Sequence, residues 1–223
     1  MDFERPIVTV DIVLLTLQQG ALHAGLAQRD KAPSAGAWTL PGGWVHTDQD
    51  QDADDAAARI LREKTGIASP YLEQLRTFSG MHRDSRGWSL SVSYYAVVPA
   101  EIDAAAGDRF RWAAVDGLRS LPFDHAQILR TAVERVRSKT LYSSLPLHLM
   151  PPAFTLGELQ RTYEQVLGGA LDKRGFRRRI EELDVIEEIP GALSGGSHRP
   201  AQLYRRKAHA PALRTAPSNL PVG

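Results

Sequence analysis

The chain changes character across a proline-punctuated stretch, Leu145-Pro146 through Pro151-Pro152, and that break constrains its folding more than any other feature. Proline fixes its own φ and keeps the residue before it out of the helical region, so no long helix or strand is expected to run through. Before the break lie strand-like runs interrupted by one helix and closed by another. After it lie two short helices and two strands. Each side must then build its own core. The expected layout is an α/β domain over 1–144, a linker at 145–152, a second domain at 153–207 and a Pro/Ala-rich flexible tail at 208–223.

On the amino-terminal side, Ile7, Val8, Val10 and Ile12–Leu15 form a β-branched-rich run, Gln18-Gln19-Gly20 a turn, and Leu22–Ala27 the returning strand of a hairpin. Trp38-Thr39-Leu40 is a short strand leading into the bend Pro41-Gly42-Gly43. The alanines after Asp52, with Ile60 and Leu61, carry helical spacing to about Lys64, and Gly66 stops it. Asp52, Asp54 and Asp55 stand in the first turn, where carboxylates suit the helix dipole. Strands are expected at Tyr71–Phe78, Trp88–Val98 and Phe110–Ala114. Asp124, with Gln127 three residues on, reads as the cap of a helix whose buried stripe is Ile128, Leu129, Ala132, Val133 and Val136.

On the carboxy-terminal side, Thr155 and Glu158 form a capping box, with Phe154 placed to staple Leu159. Leu159, Tyr163, Val166 and Leu167 continue the apolar face, and Gly168-Gly169 ends it. Asp172 caps a second helix, with Leu171 placed to staple Phe176. At about 100° per residue, Phe176, Ile180 and Leu183 share one face, Arg174 and Arg178 point the other way, and Arg177 sits at the flank. Strands at Val185–Ile189 and Gln202–Arg206, joined by a Gly/Ser-rich tip, complete a winged helix-turn-helix.

Charge follows the same division. The net charge of +1 conceals 16 Lys/Arg against 18 Asp/Glu in residues 1–144, and 11 against 8 in residues 145–223. Five of those eleven bases fall between Lys173 and Arg179, which gives the second domain a basic face suited to a polyanion. Lys173, Arg174, Arg177 and Arg178 are the candidate contacts from the helix. Ser197, His198 and Arg199 are the candidates from the wing, with Arg205 a weaker one. Cysteine is absent, which excludes disulfides and thiolate metal sites and fits a cytoplasmic location. The longest apolar runs are far too short for a membrane span, and the amino terminus lacks a signal core.

Gly43, Arg59, Glu63, Gly66 and Ile67 resemble the Nudix box, G-x5-E-x7-R-E-U-x-E-E-x-G-U, with U a bulky aliphatic residue. Gln49 stands where that pattern has its first glutamate, and two extra residues precede Arg59. Ile60 and Lys64 replace two of the three glutamates that follow the arginine, and only Glu63 remains. Since those carboxylates would hold divalent metal around a pyrophosphate, the resemblance implies a retained fold without hydrolysis, and no cofactor is expected.

The box and the second domain together resemble the Nudix-related transcriptional regulators of NAD metabolism (NrtR). The matching phrases include Trp38–Val45, Glu63-Lys64-Thr65-Gly66, Thr77–Gly80, Asp84–Trp88, Ser91–Tyr94, Phe123-Asp124-His125, Leu171–Arg178 and Arg199–Tyr204. The resemblance implies a Nudix-like α/β/α sandwich with a mixed sheet, followed by a winged helix-turn-helix. It also implies a homodimeric repressor that binds a palindromic operator and is released by ADP-ribose or a related nucleotide.

In such a cleft, Arg29, Arg83 and Arg86 are the candidates to neutralise phosphates. Gly42 and Gly43 would admit close approach, Trp44 or Trp88 would stack a base, and Arg59 and Glu63 complete the candidate set. His46, His82 and His125 have no metal-ligand spacing and are expected to be structural or pocket residues. The alternative reading is a metal-dependent ADP-ribose pyrophosphatase with an accessory carboxy-terminal domain.

Overall fold

The computed structural model describes residues 5–69, 71–102, 107–195 and 200–208. These fall into two compact units. One comprises residues up to Thr16, His23–Val98 and Ile102–Glu134; the other comprises Leu17–Leu22, Pro99–Glu101 and the residues from Arg135 onward.

The first unit is built on strands β1 (Ile7–Gln18), β2 (Ala21–Gln28), β3 (Trp38–Thr39), β4 (Gly42–Trp44), β5 (Leu72–Gly80), β6 (Ser89–Val97) and β7 (Phe110–Ala114). Its helices are α1 (Ala53–Thr65) and the start of α2 (His125–Thr140). Gln19 and Gly20 join β1 to β2 with φ of 51° and 79°. A two-residue turn with both residues left-handed matches the twist of paired strands.

The sheet runs β3-β2-β1-β6-β5, with β4 also paired to β1 and β7 to β2. The β1–β6 pair is parallel, from Ile7↔Ser89 to Leu15↔Val97, while β4, β5 and β7 pair antiparallel. The sheet is therefore mixed. β1 is its central strand and is buried almost continuously, which explains the unbroken apolar run that breaks alternation. Val10, Ile12 and Leu14 pack with Ala56, Ala57, Ile60 and Leu61 of α1. The alternate residues of β1 face the other way, and there Asp11 meets His125 at the start of α2.

Helix α1 follows its sequence signals. Asp52 caps it by accepting from the Asp55 amide, and Gly66 ends it in the left-handed region at φ 71°. Helix α2 has the expected stripe, but the Asp124 carboxylate accepts from Arg83, while its backbone carbonyl accepts from Ile128. The Gly42-Gly43 segment, expected as a bend, is strand β4, pairing Asp11↔Gly42 and Val10↔Gly43.

The second unit holds β8 (Phe154–Thr155), α3 (Leu156–Leu167), α4 (Lys173–Leu183), β9 (Ile186–Leu193) and β10 (Gln202–Arg206). The stapling residue Phe154 and residues of both helix stripes meet in one core with Leu159, Tyr163, Phe176, Ile180, Leu183 and Val185, and Leu171, the second staple, packs against it partly buried. Tyr163 meets the Phe176 ring edge-on at 5.2 Å. The capping box of Thr155 and Glu158 is present in both directions.

Two expectations need correction. The wing sheet has three strands, in the order β8-β10-β9, because Phe154 and Thr155 pair with Tyr204 and Leu203 before the helix begins. And the segment read as a linker is folded: Leu145–Leu149 forms a 3₁₀ helix with Leu145, Pro146, Leu147 and Leu149 buried. Its one proline, Pro146, stands in the first turn, where a missing amide hydrogen costs nothing. Arg206 donates to the His148 ring at 2.8 Å. Burial, and then the Arg206 charge, press the His148 pKa down to about 4, which keeps the ring a neutral acceptor. No helix among the described residues is long and apolar enough to cross a membrane.

Candidate functional site

A cleft of about 270 Å³ opens in the first unit, bounded by β1, β4, α1 and the loops around residues 29–32, 83–86 and 123–125. Arg29, Gly42, Gly43, Trp44, Arg59, Glu63, Arg83 and Arg86 all line it, so eight of the nine expected residues come together. Trp88 does not. It stands at the sheet end, partly exposed, with its carbonyl taken by the Ile7 amide.

The two glycines make room for protein. A Cβ on Gly42 would lie 2.2 Å from Oδ1 of Asp11, and one on Gly43 would lie 3.2 Å from the Ile60 side chain. Asp11 therefore lies across the strand that pairs with its own. Around it, Arg83 Nη2 donates to Oδ2 at 3.3 Å and the His125 Nε2 lies 3.4 Å from Oδ1. His125 Nδ1 accepts from the Leu40 amide at 3.1 Å, which leaves Nε2 to carry a ring proton toward Asp11. Burial pushes the Asp11 pKa up, but His125, Ser91 and Arg83 outweigh it and hold the carboxyl below its usual range.

Three arginines of the cleft are already engaged. Arg83, with its side chain 7% exposed, donates to both oxygens of Asp124, at 3.1 and 3.0 Å, to Asp11, and to Ser89. Arg86 closes on Asp84 through Nε and Nη2 and lies over the Trp44 ring at 5.2 Å. Arg59 grips Asp50, reaches Glu63 at 3.2 Å and donates to the Trp44 carbonyl.

The remaining cations, Arg29, Lys31 and Lys64, form no ion pair among the described residues. Arg29 donates from Nε to the Pro33 carbonyl at 2.9 Å and stacks over Phe123 at 5.0 Å. Its backbone bonds to Gly36 and Ala37 fold the loop that carries Lys31 to the cleft. Phe123 takes φ 60° to present its ring there, a conformation costing a bulky residue about 1–2 kcal/mol. Lys64 is half-buried on the α1 face that also presents Ile60 and Glu63. Asp30 has its pKa lowered first by a hydrogen bond from its own backbone and then by the Lys64 charge.

A divalent metal does not fit these residues. Mg²⁺ needs oxygen ligands in near-octahedral array. Asp11, Asp84 and Glu63 are each paired with arginine. The Asp-rich run is equally committed: Asp50 to Arg59, Asp52 to the helix cap, Asp54 to the Tyr94 hydroxyl, and Asp55 to the Gln51 amide. Ile60 contributes methyl groups packed beneath Gly43.

In the second unit, α4 buries Phe176, Ile180 and Leu183 and exposes Lys173, Arg174, Arg177 and Arg178. Asp172 caps the helix by accepting from the Gly175 amide at 2.6 Å, so that amide is not available to a phosphate. Arg178 lies 3.7 Å from Glu182, both strongly exposed. Arg177 borders a groove also lined by Glu181, Asp184, Glu187 and Glu188. Arg205 is held by Glu187 at 2.7 Å across β9 and β10. Ser197, His198 and Arg199 lie outside the described residues. The fifth base of the run, Arg179, turns inward: its Nε and Nη2 are buried with no hydrogen-bond partner among the described residues.

The two units correspond to two family models, the NUDIX domain over residues 5–136 and the NrtR DNA-binding winged helix domain over 146–206. The chain is 43% identical over 209 residues to the "ADPR responsive transcriptional repressor NtrR" of Acinetobacter baylyi, covering 92% of this chain and 83% of that protein. The chain belongs to the NrtR family. It is also similar to Shewanella oneidensis NrtR crystallised with a 27mer DNA, at 37% identity and a TM-score of 0.84 over 90% of this chain and 93% of the other. The Nudix domain of that NrtR has been crystallised with ADP ribose. It matches 60% of this chain and 90% of its own length at 37% identity, with a TM-score of 0.55.

Several residues of this NrtR-family cleft escape sequence reasoning. Asp11 sits within an apolar strand, and the signal was present, since a lone carboxylate in such a run demands a buried partner. Asp50, one position beyond Gln49, and Asp84 are legible only as partners of arginines. Lys31 and Phe123 have no local signature.

Proposed function

We propose that this chain is an ADP-ribose-responsive transcriptional repressor without hydrolase activity. Its Nudix unit binds ADP-ribose or a related nucleotide, and the exposed face of α4 binds palindromic operator DNA of NAD-metabolism genes as a homodimer. The observation that carries the reading is the state of the cleft. It keeps a Nudix frame and three cations that form no ion pair among the described residues, while Asp11, Glu63 and Asp84 are committed to arginines, and it is joined to a winged helix with a basic outer face.

The nucleotide must bind more tightly to the state that holds DNA poorly, and by linkage DNA must weaken nucleotide binding by the same factor. The test is fluorescence anisotropy of labelled operator DNA titrated with the full chain, repeated with ADP-ribose. Release of DNA by ADP-ribose is expected. Operator affinity indifferent to ADP-ribose, or ADP-ribose affinity unchanged by saturating operator, overturns the coupling.

The pyrophosphatase reading needs a carboxylate free to hold metal or to activate water. The pairing of Glu63 with Arg59 and the presence of Ile60 and Lys64 speak against it.

A further inference from the structure

Where a divalent cation would meet a bound pyrophosphate, this cleft offers side-chain cations. Ile60, Glu63 and Lys64 share one face of α1 toward the cleft, at spacings of three and four residues. The methyl groups of Ile60 fill the space beneath Gly43 and Glu63 is turned to Arg59, so Lys64 is the polar group of that face that forms no ion pair among the described residues; the carboxylate that feels its charge is Asp30, which also lines the cleft. Arg29 and Lys31 reach the same cleft from the loop opposite and make no ion pair among the described residues.

We propose that Lys64, with Arg29 and Lys31, forms a cationic subsite that holds the pyrophosphate of the ligand in place of a divalent metal, so that ligand binding requires no metal. The proposal rests on the cleft being a nucleotide site. A lysine ammonium is a compact point charge with three donors, suited to bridging phosphate oxygens. It would also repel a divalent cation approaching Glu63. The same substitution then does two things: it removes a metal ligand and supplies the charge that the metal would have brought.

The experiment is isothermal titration of the full chain with ADP-ribose, and separately with inorganic pyrophosphate, in EDTA and in excess Mg²⁺. ADP-ribose affinity is expected to agree between the two conditions to within about twofold. Lys64→Gln is expected to weaken ADP-ribose and pyrophosphate alike by about tenfold or more, the scale of one hydrogen bond to a charged group, and Lys64→Arg to restore most of it. Lys64→Glu, which sets a carboxylate beside Glu63, is expected to bind poorly in EDTA and to recover in Mg²⁺. Wild-type binding that appears only with Mg²⁺ overturns the subsite and leaves the nucleotide reading standing. Unchanged affinity in Lys64→Gln overturns the role of that lysine. No ADP-ribose binding in either condition overturns the nucleotide reading and the subsite with it.

Discussion

Arg59 closes on Asp50 through two hydrogen bonds of 2.7 Å, Nε to Oδ1 and Nη2 to Oδ2. The arginine of the box thus finds its carboxylate one position beyond Gln49; Nη2 also donates to the Trp44 carbonyl, and the third nitrogen, Nη1, donates to Glu63. The loop from Trp44 to Asp50 is held to α1 by this one side chain.

That pairing has a pH signature. The Arg59 hydrogen bonds pull the Asp50 pKa down to about 2, against the opposing effect of desolvation. A carboxylate whose folded pKa is depressed stabilises the fold above its ordinary range, and the contribution is lost as pH falls through the folded value. Asp50→Asn should therefore melt below wild type at pH 5, and the gap should close as pH approaches 2. Thermal melts by circular dichroism across that window check it; a gap that stays constant contradicts the assignment.

Arg83 and Arg29 should respond oppositely to the same substitution. Arg83→Met leaves Asp11 and Asp124 without their shared cation in a buried setting and should cost about 3–5 kcal/mol of stability. Arg29→Met keeps packing against Phe123 and should change stability by less than about 1 kcal/mol while weakening ADP-ribose binding. Denaturant unfolding alongside ligand titration separates the two.

ADP-ribose should not turn over with Mg²⁺ or Mn²⁺ above background, and Glu63→Gln should leave that background unchanged. Robust cleavage of ADP-ribose to AMP and ribose 5-phosphate, abolished by Glu63→Gln, would falsify the non-enzymatic reading. Restoring Ile60→Glu together with Lys64→Glu should bring back metal binding first, measurable by Mn²⁺ titration without reference to turnover.

On α4, a base contact and a phosphate contact predict different losses. Arg178→Ala should cost roughly 1–3 kcal/mol on operator DNA and relax preference at one position. Lys173→Ala should weaken specific and random DNA alike and reduce the salt slope by about one unit. Binding isotherms at several salt concentrations distinguish them. Operator affinity unaltered in a folded Arg174/Arg177/Arg178 triple-alanine protein removes α4 as the reader.

Arg179 should behave unlike its neighbours. Desolvation lowers its pKa, and two of its nitrogens are buried without partners. Arg179→Met should therefore raise the melting temperature, by the equivalent of about 1 kcal/mol, without changing the salt dependence of DNA binding.

The two helices of the second unit are legible almost to the residue because their signals are local. Thr155 with Glu158, Asp172 with Gly175, and the stripe of Phe176, Ile180 and Leu183 all act within one or two helical turns. The cleft residues were identifiable as types but not as partners. Arg83 looks as accessible as Arg29 in the sequence, yet it finds Asp11 and Asp124, 72 and 41 residues away, and is held between them. In the sequence the short strands β4 and β8 look like a bend and a helix staple, since two or three residues carry no periodicity. Their pairing depends on β1 and β10, which only the fold brings alongside.

Gly42 carries the Oδ1 of Asp11 at 2.2 Å from the place where any side chain would begin. Even a methyl group there would evict the carboxylate, and with it the anchors of Arg83 and His125 on which both walls of the cleft lean. The demand for glycine at that position is mechanical. It would hold for a hydrolase, for a sensor or for a cleft emptied of every function, so substitutions at Gly42 report on whether the scaffold survives and say nothing about what it does.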